Sequence, residues 1–222
     1  MKRIHRILGA AFSLAVPLLC TSSARAQFVP APPCDQVEIV GKPVVSGTGC
    51  PAGSAHVVIA STTPGCKTAD FIEVLFDEFT AEKGPGVPFS MRRQQCTVEV
   101  TLRLPSGLRF TVDQTHYEGY AYLGASDTGT LTSDYFIAIP PAPPHATSTK
   151  TLHGPFNGNF TKDDTLTFFS LVWPPMCHID VPANLRSILT VSGPSTSNAV
   201  ITVDQLSSKL HQFWGLKWAA CP

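Results

Sequence analysis

Residues 97–104, TVEVTLRL, alternate in side-chain character without a fault. Val98, Val100, Leu102 and Leu104 fall on one face, and Thr97, Glu99, Thr101 and Arg103 on the other. A period of two, with one face apolar and one polar, belongs to a β-strand that buries one side and wets the other. Residues 108–113, LRFTVD, resume the alternation after Pro105-Ser106-Gly107, three residues that favour a turn. Runs rich in β-branched and aromatic residues recur at 37–41, 55–61, 71–76, 117–123, 130–139, 165–173, 186–192, 199–203 and 210–218. Gly, Pro, Asn, Asp or Ser clusters separate most of them. No window supports an amphipathic helix longer than two turns, and the 20 prolines scattered along the chain oppose helices further. This pattern predicts an all-β fold: a single-domain, antiparallel, jelly-roll-like β-sandwich.

Residues 1–26 read as a cleaved signal peptide. Lys2, Arg3 and Arg6 form its basic start, ILGAAFSLAVPLLC its short apolar run, and ARA before Gln27 its cleavage site. Residues 27–36 are a stiff, proline-rich lead-in without periodicity, and the sandwich is expected over 37–222. The leader's four cations, Lys2, Arg3, Arg6 and Arg25, come off the chain's 16 lysines plus arginines. That leaves 12 cations against 16 acids, a net charge near −4. Such a balance excludes the electrostatic footprint of a nucleic-acid or anionic-membrane binder. No stretch after the leader is long and apolar enough for a membrane span. Export points outside the cell, or to the periplasm where an outer membrane exists.

Without Cys20 of the leader, six cysteines remain: Cys34, Cys50, Cys66, Cys96, Cys177 and Cys221. An even count in an exported chain implies a disulfide framework. No C-x-x-C spacing occurs, which argues against structural zinc and against thioredoxin-like redox chemistry.

Several fragments, taken in order, carry a family resemblance: GTGCPAG before a strand, RRQQCTVEVTLRLPSGLRFTV, YEGYAYL, LHGPF, WPPMC and a terminal WAAC. Together they resemble the small secreted proteins of fungi and bacteria grouped as domain of unknown function four-three-six-zero. The resemblance covers roughly Val37 to Cys221. It implies export, an all-β domain and four recurrent cysteines, which fall here on Cys50, Cys96, Cys177 and Cys221. It implies no biochemical activity. Cys34 and Cys66 are additions to the pattern, and WPPMC has one residue more than the usual Trp-x-x-Cys.

A hairpin of 37–45 with 55–61 would put Cys50 at one end and bring Cys34 and Cys66 together at the other. A third strand over 71–79 would return Cys96 to the Cys50 end. The expected bridges are therefore Cys34–Cys66 and Cys50–Cys96, leaving Cys177–Cys221. His56 is the histidine near Cys50 in sequence, but nothing orients it as a base, so Cys50 reads as a structural cysteine and not a nucleophile.

The strongest candidate ligand face is DQTHYEGYAY, which combines Asp113, His116, Tyr117, Glu118, Tyr120 and Tyr122. Aromatic rings offer apolar platforms for sugars, and carboxylates beside them can bind hydroxyls or do acid–base work. The competing reading is a strand bulged at Gly119, with one tyrosine face in the core. Asp163 and Asp164 would share a calcium ion only from within a turn, because neighbours on a strand point to opposite faces. His178 and Asp180 share a strand face, a pair more often a surface hydrogen bond than a ligand set. Asn159-Phe160-Thr161 is a glycosylation sequon. No G-x-S-x-G elbow and no H-E-x-x-H motif occurs, so no catalytic residue, metal or cofactor is assigned.

The expected function is therefore that of an exported, monomeric, non-catalytic binding module for an extracellular or envelope ligand, with carbohydrate the leading class. One alternative is a secreted hydrolase whose carboxylates gather in three dimensions from Asp113, Glu118, Asp134, Asp163 and Asp164. Another is a protease inhibitor presenting PPAPPHATS, residues 140–148, as an exposed loop.

Overall fold

The computed structural model describes residues 28–137, 145–166, 180–203 and 212–221. They form two packed antiparallel sheets with no α-helix among the described residues. The first sheet runs in the order β4 (Ala55–Ala60), β5 (Phe71–Phe76), β14 (Gln212–Ala220), β8 (Leu108–Leu123), β13 (Ala199–Thr202) and β6 (Thr80–Lys83). Two strands lie off that path: β1 (Phe28–Val29) pairs with β14, and β11 (Phe156–Thr165) pairs with β8. The second sheet runs β10 (His145–His153), β9 (Thr128–Ile137), β12 (Asp180–Ser192), β7 (Arg93–Arg103) and β2 (Glu38–Ile39), with β3 (Val44–Ser46) also on β7.

The alternation in the sequence becomes the core. Val98, Val100, Leu102 and Leu104 are all buried, facing residues such as Ile72, Val74, Phe110, Trp214 and Trp218 of the opposite sheet. The antiparallel sandwich expected from the periodicity is the observed architecture.

Several local expectations are corrected. The separate runs 108–113 and 117–123 are one 16-residue strand, β8. Its irregularity is not at Gly119. Gly215 of β14 pairs with Gln114, and Leu216 with Val112, so Asp113 is the extra, bulged residue. Gly119 instead accommodates a close crossing: a Cβ there would lie 2.5 Å from both the Phe160 ring and the Thr202 carbonyl oxygen. Residues 145–148, expected in an exposed loop, form the start of β10, in register with Phe136 to Ser133 of β9. Threonines and serines that look loop-like in sequence are held there by cross-strand pairing, as in the Thr132–Thr149 hydroxyl contact at 3.1 Å. Residues 140–144 of that segment lie outside the described residues.

Cys34 is bridged to Cys66 and Cys50 to Cys96, with Cα separations of 5.8 and 5.2 Å. Cys221 is also disulfide-bonded, and its expected partner Cys177 lies outside the described residues. The expected hairpin of 37–45 with 55–61 is not formed. Strands β2 and β3 pair with β7 in one sheet, while β4 pairs with β5 in the other. Cys50 sits where the chain crosses between sheets, and its bridge to β7 closes that corner around a fully buried sulfur pair. The Cys50→Ala/Cys96→Ala double variant is expected to lose about 2–5 kcal/mol of stability. Urea unfolding with an unchanged midpoint would contradict this.

Candidate functional site

On β8 past the bulge, side chains alternate strictly. Thr115, Tyr117, Ala121 and Leu123 turn inward, whereas His116, Glu118, Tyr120 and Tyr122 lie on the outer face. Four of the expected ligand-face residues are therefore together on the outside of the first sheet, and Asp113 joins them at the bulge. Tyr117 does not. It is fully buried, its hydroxyl 2.7 Å from Tyr135 Oη and accepting from Gln212 Nε2 at 2.9 Å, with the Lys162 ammonium 4.7 Å from its ring centre. The one-residue bulge at Asp113 sets this parity, and that bulge arises from pairing with β14.

Register builds a row across five strands. Val58 of β4 pairs with Glu73 of β5, Glu73 with Phe213 of β14, Phe213 with His116 of β8, and His116 with Asp163 of β11. The next row is Ala60, Phe71, Gly215, Gln114 and Thr165. Phe71 and Phe213 meet edge to face, with ring centres 5.0 Å apart, and the His116 ring lies 6.1 Å from Phe213. Between these two rows opens a cavity of about 520 Å³, walled by Phe71, Phe213, His116 and Gln114 and by the acids Asp70, Asp113, Asp163 and Asp164. Gly215 forms part of its floor. A Cβ at that position would stand 3.3 Å from both Asp113 Oδ1 and Gln114 Cβ, so glycine keeps the floor low.

His116 is clamped between two carboxylates: Nδ1 is 2.6 Å from Asp163 Oδ1, and Nε2 is 3.3 Å from Glu118 Oε1. Partial burial pushes its pKa down, but the hydrogen bonds to Asp163 and Glu118 outweigh that and hold it above the ordinary histidine value. The doubly protonated ring can donate to both acids. The clamp is thus complete on the acid side and loosens as pH rises through the raised pKa.

The acids differ. Burial pushes the Asp113 carboxyl up, offset in part by Lys217, whose Nζ is 3.8 Å away. Burial also works against the Asp70 charge, yet an amide and three hydroxyls overcome it and hold its carboxyl below the usual range. Oδ2 of Asp70 accepts from the Thr62 amide at 3.0 Å and from the hydroxyls of Thr68, Ser61 and Thr62 at 2.9, 3.0 and 3.1 Å.

The carboxylates named for a hydrolase do not all converge. Asp134 is on β9 of the other sheet, where Thr147 and Arg186 hold it at 2.7 and 2.8 Å. Asp163 and Asp164 lie within β11, not a turn, and take different partners: Asp163 meets His116, while Asp164 pairs with the buried Lys162 and accepts from Ser148 at 2.6 Å. Adjacent residues on a strand point to opposite faces, so the two carboxylates are not placed to share one ion. Among the described residues, no group of three or more His, Cys, Asp or Glu side chains could hold a metal ion. Asp180 pairs with Arg103 at 2.9 Å, and His178 lies outside the described residues. Asn159 is exposed on the outer face, in register with Tyr120.

Sequence reasoning missed Asp70, Phe71, Gln114, Phe213 and Gly215. A partial signal existed on β14, where a period of two sets Phe213, Gly215 and Lys217 opposite the buried Trp214, Leu216 and Trp218.

A profile of the domain of unknown function DUF4360 matches residues 35–221. The chain belongs to this family. A curated relative, an uncharacterized secreted protein of Arthroderma benhamiae, is 30% identical over 193 residues, covering 86% of this chain and 74% of the relative. Oxidised cysteine pairs belong to the same kind of compartment, and this DUF4360 protein is secreted. Among solved structures, the carbohydrate-binding module TmCBM61 in complex with beta-1,4-galactotriose is similar with a TM-score of 0.28 and 8% identity, over 80% of this chain and 88% of that one. A family 11 carbohydrate-binding module from Clostridium thermocellum has a TM-score of 0.25 at 10% identity, over 81% and 87% of the two chains. Among the described residues, no helix is long and apolar enough to cross a membrane.

Proposed function

We propose that this DUF4360 protein is a non-catalytic carbohydrate-binding module, and that its ligand lies on the outer face of the first sheet over the Phe71–Phe213 groove. The observation that carries this is the composition of one cavity. Two phenylalanine rings offer apolar surface for the faces of a sugar ring, and Gln114, Asp70, Asp113 and Asp163 stand around them as hydrogen-bonding groups for its hydroxyls. The sheet beneath is a rigid support, because every strand of the row is paired on at least one side. Tyr120 and Tyr122 continue the same face along β8. Tyr122 is 46% exposed, and Tyr120 donates to Asn157 Oδ1 at 2.7 Å.

The test is retention on a panel of insoluble polysaccharides. Wild type is expected to be retained on at least one. Phe213→Ala should weaken retention roughly tenfold, the effect of removing a central aromatic anchor, while leaving the urea midpoint near that of wild type. Absence of retention on every member of the panel would refute the reading.

One observation favours a hydrolytic alternative: Asp113, pushed toward its protonated form by burial, shares the cavity with Asp163. Release of reducing ends by wild type, abolished in Asp113→Asn, would decide for it.

A further inference from the structure

Resting on the carbohydrate reading, we infer that the groove selects sugars bearing a free amino group over their neutral or N-acetylated counterparts. The cavity and its phenylalanine walls make the site, and the placement of charge within it determines the class of ligand. Gly215 leaves a bare notch in the floor, with Phe71 in register on one side and Gln114 on the other. Asp70 and Asp113, the residues next to them in sequence, bring a carboxyl group to each flank. Of the four acids lining the cavity, Asp163 is engaged by His116 and Asp164 by Lys162. Asp113 has Lys217 Nζ at 3.8 Å, an ion-pair distance but longer than a hydrogen bond. Asp70 is supported by uncharged donors, and no cation among the described residues pairs with it. Its hydrogen bonds from the described residues all fall on Oδ2. A compact ammonium group with three donors, carried on a sugar ring stacked against Phe71 and Phe213, would supply Asp70 with the cation that no described residue gives it, and would share Asp113 with Lys217. An acetamido group in the same place would bring neither the charge nor the three donors. A sulfated or uronic sugar would meet like charge.

The experiment uses the mature protein and cross-linked chitosan beads, half of them acetylated chemically to the neutral form. Wild type is expected to be retained about tenfold better on the amino beads, the scale of one charge-assisted hydrogen-bonded contact. Asp70→Asn and Asp113→Asn should each remove most of that preference. Glu99→Gln, on an exposed position of the opposite sheet, should leave it unchanged and controls for the chain's net negative charge. Equal retention on both bead types would overturn the amine preference and leave the carbohydrate reading standing. An equal loss in Glu99→Gln would also overturn it, by showing attraction between bulk charges. No retention on either bead type or on any neutral polysaccharide would overturn both.

Discussion

Replacing Lys83 with methionine is expected to destabilise the protein by about 3–5 kcal/mol. Lys83 is on β6, and its side chain and that of Asp127 are both 0% exposed, with Nζ 2.7 Å from Asp127 Oδ1. The ammonium's three protons have four oxygens within reach: besides Asp127 Oδ1, the Pro194 carbonyl at 2.8 Å, the Ser197 carbonyl at 3.0 Å and Ser197 Oγ at 2.7 Å. Asp127 is satisfied as fully: Oδ1 accepts from the Ser197 hydroxyl at 2.8 Å and Oδ2 from the Gly124 amide at 3.0 Å. The pair therefore ties together β6, the β8–β9 turn and the 194–197 loop. Methionine fills much of the same volume but strands a buried carboxylate, which is the costly event. A neutral carboxamide in its place is cheaper. Lys83→Met/Asp127→Asn should accordingly be more stable than Lys83→Met alone. Urea midpoints of the single and double variants check both statements. A loss under 1 kcal/mol, on the scale of an exposed pair, would contradict the first.

The same carboxylate predicts a pH dependence. Burial works against the Asp127 charge, but Lys83, Ser197 and the Gly124 amide hold its pKa below the unfolded value. A depressed folded pKa contributes stability that is present above the unfolded pKa of about 3.9 and is lost as pH falls through the folded value. Wild type should therefore lose stability below about pH 4 more steeply than the double variant.

Trp218→Ala should cost about 3–5 kcal/mol. The indole is buried between the sheets, its ring centre 5.8 Å from that of Phe110, and its Nε1 donates to the Ala69 carbonyl at 2.9 Å. Truncation removes a large apolar surface and also leaves the Ala69 acceptor without that donor. Trp218→Phe keeps most of the volume and loses the bond, so it should fall well short of the alanine cost. Thermal unfolding distinguishes the two. Equal midpoints for both variants would show that the hydrogen bond, not the packing, carries the effect. The consequence reaches the groove, since Ala69 is next to Asp70 and the Leu216 amide donates to the Asp70 carbonyl at 2.7 Å. Loosening this corner should weaken sugar retention as well as stability.

How much was legible in advance varies by element. Strand β7 was readable because its alternation is unbroken over the stretch TVEVTLRL and each apolar member is buried. Strand β10, HATSTKTLH, was not, because five of its nine residues are serine, threonine or lysine and its pairing to β9 supplies the order that its composition lacks. The outer face of β8 was half legible. Tyr120 and Tyr122, two residues apart, share a face by the strand period alone, whereas which face that is, and so whether Tyr117 belongs to the groove or the core, depends on the bulge at Asp113. One extra residue reverses the parity of everything after it.

The amino-acid sequence by itself determined the all-β class, the buried face of each clearly alternating strand and the demand for oxidised cysteines. These depend on neighbours one or two positions away and on composition. Tertiary structure alone decided that Glu73, Phe213, His116 and Asp163, from four strands far apart in the chain, stand in a single row, and that Gly215 leaves a notch between Asp70 and Asp113. Cross-strand register is a property of pairs of segments: each strand's own periodicity is satisfied equally well by any shift of two residues, and only packing of the whole sandwich selects one.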